Sequence, residues 1–123
     1  FILREPGSGI RDATLKQLAA AGVTPRVRMQ LGSNETIKHA IVGGLGISVL
    51  SLHSLVLESG GGKLVLLDVQ GFPIERRWFL AYSTNREPSL PAKAFLKFAI
   101  ESEPLICAQL ENARERFDES RPK

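Results

Sequence analysis

One cysteine, two histidines and one tryptophan are all that these 123 residues offer of the side chains most used in redox, metal and stacking chemistry. A lone Cys107 excludes an internal disulfide and any multi-cysteine metal site, and it reads as a small helix residue. His39 falls inside an expected helix and His53 in a short helical turn. No serine–histidine–acid order and no paired carboxylates accompany them, so filler roles at the surface or in the core are favoured over catalysis. No set of His, Asp and Glu has metal-ligand spacing, so neither a metal nor another cofactor is expected. No run approaches the ~20 apolar residues of a membrane span, and no signal-peptide series is present. The expectation is a soluble, cytoplasmic chain without a membrane partner.

What is present suits one domain, since 43% hydrophobic content over this length supplies a single core. The chain opens on the strand-like Phe1-Ile2-Leu3 rather than on Met, and is expected to be a piece of a longer protein. Residues 1–97 carry a net charge of +5 and residues 98–123 a net −2. A diffuse basic surplus suits a small anionic ligand better than nucleic acid, which calls for massed or aromatic-interleaved Lys and Arg. Arg26 and Arg28 alternate with Val27, Met29 and Leu31 and read as the solvent face of a strand. Trp78 and Tyr82, beside Phe79 and Leu80, read as core.

The pattern alternates strands and helices. Ile2–Arg4 is a strand, followed by the loop Pro6-Gly7-Ser8-Gly9. A helix runs from about Ile10 to Ala21, with Ile10, Leu15, Leu18 and Ala19 on one face and Gly22 just past its end. A strand over 26–31 leads to a helix from Asn34 to about Val42, with Ser33 before it and Ile37, Ala40 and Ile41 facing inward. A strand at 46–50 and a short helix from Ser51 to about Leu57 come next. After the turn Gly60-Gly61-Gly62, residues 63–69 and 76–82 read as two further strands. A helix from Ser89-Leu90-Pro91 to about Glu101 and a second one restarted by Ser102 and Pro104 close the chain, the latter with Ile106, Leu110, Ala113 and Phe117 spaced on one face. The tail after Phe117 reads as disordered. Strands separated by helices imply parallel pairing and an α/β fold.

Gly43, Gly44 and Gly46 resemble a nucleotide fingerprint only superficially. That fingerprint sits at the turn from strand into helix, whereas these glycines follow a helix and read as its C-terminal cap. The anion-facing ends are the helix starts. Glu5-Pro6-Gly7-Ser8-Gly9-Ile10-Arg11 offers free backbone N–H groups, a hydroxyl and a guanidinium, and Ser33-Asn34-Glu35-Thr36 offers the same without a cation. Neither is a P-loop. Two readings stand: Ser8 and Ser33 merely cap their helices, or the two starts converge on one anion at the carboxyl ends of their strands.

The segments ILREPGSGIRDA, AAGVTPRV, LGSNETIKHAIVGGLGISVLSLHSL, KLVLLDVQGFPIERRWFLAYS and LPAKAFLKFAIES, in this order, resemble the effector-binding domain of LysR-type transcriptional regulators. The likeness is greatest to the subgroup that controls carbon-fixation (RuBisCO) operons, and it covers nearly all of residues 1–105. It departs from the family at Ser89-Leu90-Pro91, where Ser-Pro is usual, and in the acidic tail after Glu101, which has no clear counterpart.

The resemblance implies a fold like the type 2 periplasmic binding proteins. Residues 1–82 would be the second lobe, a three-layer αβα unit with a mostly parallel sheet and a crossover strand at 78–82. Residues 83–123 would be two helices that pack on a first lobe outside this chain, and their uncovered apolar faces would invite self-association. Effector contacts would come from Glu5, Pro6, Gly7 and Ser8, with Arg11 at the helix start, and from Leu50, Ser51 and Leu52. Ser33 and Asn34 match the family pattern by type. The effector would be a small anionic metabolite: a phosphorylated sugar, phosphoenolpyruvate or a reduced nicotinamide nucleotide. DNA would be bound only through an N-terminal winged helix-turn-helix outside this chain, in a homo-oligomer, a dimer or tetramer. A solute-binding protein of the same architecture is the alternative, and an enzyme on this scaffold would need a catalytic set that is not found.

Overall fold

A computed structural model describes residues 1–59 and 61–119. Its regular elements are β1 (Ile2–Arg4), α1 (Gly9–Ala20), β2 (Met29–Leu31), α2 (Asn34–Val42), a 3-10 helix (Leu52–Glu58) and α3 (Leu90–Glu119). β1 and β2 form a two-stranded parallel sheet with Ile2 opposite Met29, Leu3 opposite Gln30 and Arg4 opposite Leu31. Parallel pairing requires a crossover, which α1 supplies. Neighbouring residues of a strand point to opposite faces, and Ile2 and Leu3 are both buried. β1 is therefore covered on both faces, and α1 and α2 both contact it.

Both short helices stop where the sequence places glycine. At the end of α1 the amide of Gly22 bonds to the Ala19 carbonyl and that of Val23 to Leu18; after α2, Gly44 bonds to Ile41 and Leu45 to Ala40. This is the Schellman arrangement, and its left-handed residue is Gly22 in one case (φ +70°) and Gly44 in the other (φ +73°). The glycines after α2 thus serve as a helix stop, as their order in the chain implies. Within α1, Leu18 is buried and Ile10 and Leu15 are half-buried, but Ala19 is exposed. Thr14 is buried instead, with its hydroxyl donating to the Ile10 carbonyl at 2.8 Å.

Several expected strands are not regular ones. The pairing of β2 with β1 covers only Met29–Leu31, although the Arg28 amide also bonds to the Phe1 carbonyl. Residues 46–50 run beside β1 through one bond, Ile2 N–H to the Ile47 carbonyl at 2.8 Å. Residues 63–69 and 76–82 join no ladder among the described residues. β-Propensity supplies side chains that fit a sheet, but a strand exists only where a neighbour completes its hydrogen bonds. Trp78, Phe79, Leu80 and Tyr82 are accordingly exposed, Trp78 at 79%, contrary to their reading as core.

The C-terminal third is one helix of 30 residues, not two, and Pro104 lies inside it. Proline removes the bond to the carbonyl four residues back, but good helix formers on both sides and a tertiary anchor at the far end carry the helix through. The Ser89 carbonyl accepts from the Lys93 amide, and its hydroxyl accepts from the Ala92 amide at 3.4 Å. Phe117 and Ala113 are buried, and Phe117 packs with Leu55 and Leu64. Ile41, Leu50, Leu52 and Leu66 surround that cluster. The half of α3 before Pro104 leaves Leu90, Phe95, Phe98 and Ile100 exposed. Cys107 is an exposed helix residue. Asp118 and Glu119 continue α3, contrary to the reading of the chain after Phe117 as disordered; residues 120–123, and Gly60 of the glycine turn, lie outside the described residues.

One buried charge ties two elements together. Lys38 of α2 is 5% exposed, and its ammonium donates to the Ser54 carbonyl (2.9 Å) and to Glu58 (2.6 Å), with Glu35 at 2.7 Å. Burial alone would lower its pKa, but the hydrogen bonds to Glu35 and Glu58 outweigh it and the pKa is raised. The second Glu58 oxygen is buried without a partner, so removing the cation would strand a desolvated carboxylate. Lys38→Ala is expected to lower unfolding stability by about 3 kcal/mol in urea titration, and Lys38→Ala with Glu58→Gln by clearly less.

Candidate functional site

Parallel strands put the carboxyl ends of β1 and β2 on one edge, and the starts of α1 and α2 follow there. Arg4, the last residue of β1, is the hub of this edge. Its Nε and Nη2 grip the Glu5 carboxylate in a two-pronged pair, both at 2.8 Å. Its Nη1 donates to Asn34 Oδ1 at 2.7 Å, and Nη2 also reaches the Gly32 carbonyl at 3.3 Å. One guanidinium thereby spans both strand ends. Arg11, in the first turns of α1, donates to the Arg4 carbonyl at 2.9 Å. The arginine hydrogen bond to Glu5 holds that carboxyl down at about 2, against an ordinary 4.5, and the Arg4 pKa is raised in return.

Pro6 and Gly7 make the turn after Glu5, closed by the Ser8 amide on the Glu5 carbonyl; Gly7 takes a positive φ of 86° there. Ser8 and Ser33 occupy the position before α1 and α2 with extended backbone, yet neither hydroxyl bonds to its helix. Their carbonyls take the first helical bonds, from Asp12 and Ile37. The amides of residues 9–11 and 34–36 thus lack intrahelical partners. The capping reading of these two hydroxyls is therefore not realised.

The structure joins Glu5, Ser8, Arg11 and Asn34 through Arg4 and its neighbours, with Ser33 beside Asn34. No such bond links Leu50 or Ser51 to them. Ser51 instead accepts at its carbonyl from the Ser54 amide and hydroxyl, and its own hydroxyl meets His53 Nδ1 at 3.3 Å. Two basic residues were not singled out from the sequence. Arg4 carries a readable signal, because the last residue of a strand lies at the ligand-binding edge of an α/β sheet. Arg76 carries none: its guanidinium lies at the first residue of α1, where a Cβ on Gly9 would meet Nη2 at 3.2 Å. No carboxylate pairs with Arg76 among the described residues. No group of three or more His, Cys, Asp or Glu could hold a metal among them, and no helix is long and apolar enough to cross a membrane.

Residues 1–103 match the family model of the LysR substrate binding domain. The chain belongs to this family. It is 48% identical over 98 residues to the RuBisCO operon transcriptional regulator of Acidithiobacillus ferrooxidans, covering 80% of this chain and 32% of that protein. Against the HTH-type transcriptional activator CmpR of Synechocystis sp. the identity is 44%, with the same coverage. Against the HTH-type transcriptional regulator CbbR of Rhodospirillum rubrum it is 42%, covering 80% of this chain and 33% of the relative. The chain spans about one third of the length of these relatives. No solved structure matches it. A LysR substrate-binding domain is a binding module rather than a catalytic one, in line with the expectation of a non-enzymatic chain.

The arginine pair yields a direct check. By NMR titration the Glu5 carboxyl should change protonation near pH 2, and Arg4→Ala should raise its midpoint towards the ordinary carboxylate range. A folded-state pKa below the unfolded one means that the pair stabilises fully above the unfolded value and loses its contribution as pH falls from about 4.5 to about 2.

Proposed function

We propose that this chain is the effector-sensing part of a bacterial LysR-type transcriptional regulator of a carbon-fixation operon, and that it takes a small anionic, phosphorylated metabolite in an interlobe cleft. In this reading residues 1–82 form the second, three-layer lobe, and the first lobe and the DNA-binding domain lie in the part of the protein outside this chain. DNA is then contacted only through that other domain, in a cytoplasmic homo-oligomer, a dimer or tetramer.

The carrying observation is the uncommitted polar edge at the starts of α1 and α2. Two serine hydroxyls, Ser8 and Ser33, stand free of their helices, next to first-turn amides that lack intrahelical partners. Arg4 is neutralised by Glu5, whereas Arg11 keeps further N–H groups beyond the one given to Arg4. Arg76 brings a second unpaired guanidinium to the same helix start. Positive charge beside the positive end of a helix dipole favours an anion there. Glu5 and Asn34 act by aligning Arg4, Pro6 and Gly7 by shaping the turn, and Leu50 and Ser51 by lining the neighbouring wall. Effector binding favours one lobe arrangement over another, and that preference re-orients subunits on DNA.

Calorimetric titration of ribulose 1,5-bisphosphate, phosphoenolpyruvate, NADPH and a neutral sugar into the full-length protein tests the reading. At least one phosphorylated ligand is expected to bind and the neutral sugar not. Arg11→Ala should weaken that binding about tenfold or more, and Ser8→Ala by less, as for the loss of a charged and a neutral hydrogen-bond donor. Equal binding by both variants would reduce Ser8 and Arg11 to structural roles.

A further inference from the structure

The 3-10 helix Leu52–Glu58 continues directly from Leu50 and Ser51, and it is gripped from two sides. Lys38 holds it from α2 through Ser54 and Glu58. From the other side Phe117 of α3, fully buried, packs with Leu55 and Leu64, and Leu50 and Leu52 lie against the same cluster. Ser51 moves with this helix, since its carbonyl accepts from both the amide and the hydroxyl of Ser54. Leu55 stands only about 8 Å along the helix axis from Ser51. Phe117 and Ala113 belong to the stretch 104–119, which lies beyond the residues matched by the family model. The contact therefore comes from outside the matched residues. Beside the anchor, Val56, Ser59, Gln109, Asn112 and Arg116 help to line a depression of about 210 Å³ between the two helices.

We propose that Phe117 is a positioning residue and the C-terminal half of α3 a strap. By filling the space between Leu55 and Leu64, the ring fixes the 3-10 helix and with it the Leu50–Ser51 wall of the cleft. The proposal rests on the assignment of Leu50 and Ser51 to that cleft. A strap seated by one ring gives the C-terminal segment control over the shape of the wall without touching the ligand. The molecule carries its own reporter, because the His53 ring stacks on Trp78, the one tryptophan, at 5.2 Å between centroids and 22° between planes.

Amide hydrogen exchange and Trp78 emission of the full 123-residue chain, measured for Phe117→Ala, Phe117→Leu and His53→Ala, test it. Phe117→Ala should speed exchange over residues 51–58 about tenfold or more while residues 2–4 and 34–42 stay within about twofold. Its Trp78 emission should move towards that of His53→Ala, and Phe117→Leu should restore most of both signals. A rise shared equally by all three segments would make Phe117 an ordinary core residue, and unchanged exchange over 51–58 would show a wall that holds without the strap. Should Phe117→Ala not fold, the same comparison is made on Phe117→Leu, with a smaller but still local rise expected. Both readouts need no ligand; whether Leu50 and Ser51 line the cleft is read separately, from Ser51→Ala in the same calorimetric titration, and its failure leaves them unmoved.

Discussion

Parallel pairing of Ile2–Arg4 with Met29–Leu31 is the constraint from which the rest of the arrangement follows. Two strands that run the same way cannot be joined by a tight turn, so the chain must cross over, and α1 is that crossover. The same geometry leaves both strand ends, and therefore both following helix starts, on one edge. β1 is three residues long, yet its first two side chains are almost wholly inaccessible on opposite faces. A strand so placed cannot slip by one residue without exchanging its two buried faces, and the register that aligns Arg4 with Leu31 is held for that reason.

At that edge the charges are arranged rather than massed. Arg4 is closed off by Glu5, Asn34 and the Gly32 carbonyl and so acts as a clasp between the two strand ends. Arg11 is tied to the backbone of Arg4 through one nitrogen, which fixes its direction without using its charge. Arg11 and Arg76, two guanidinium groups with no carboxylate partner among the described residues, lie near the start of α1, where first-turn amides lack intrahelical partners. An anion placed there would be met by charge and by directional donors together, the combination that small phosphorylated ligands call for.

The 3-10 helix is the second organising element, because α2 and α3 meet on it by different physics. Lys38 contributes a buried ion pair whose value lies in its completeness, since either partner alone is a desolvated charge. Phe117 contributes apolar area and shape, which tolerate substitution by degrees. The half of α3 before Pro104 has no such seat among the described residues, and its Phe95, Phe98 and Ile100 stand exposed.

Local signals were legible wherever the cause is local. The span of α2 follows from Ser33 before it and Gly44 after it, and β1 and α1 follow from the apolar run and the Pro-Gly turn between them. The family was legible too, because the ordered segments keep their spacing. Side-chain commitments were not: Ser8 and Ser33 have the right type and place for caps, but which proton acceptor a hydroxyl meets is settled by its surroundings. Residues 63–69 and 76–82 have the composition of strands but pair with no neighbour among the described residues, and Pro104 has the signature of a helix boundary that α3 runs through. The sequence by itself determined the glycine stops of α1 and α2, the crossover order and the family. Only the tertiary structure decided that Arg4 clasps both strand ends, that Arg76 reaches the start of α1 and that Phe117 closes on the 3-10 helix, because each joins residues far apart in the chain whose meeting no local pattern encodes.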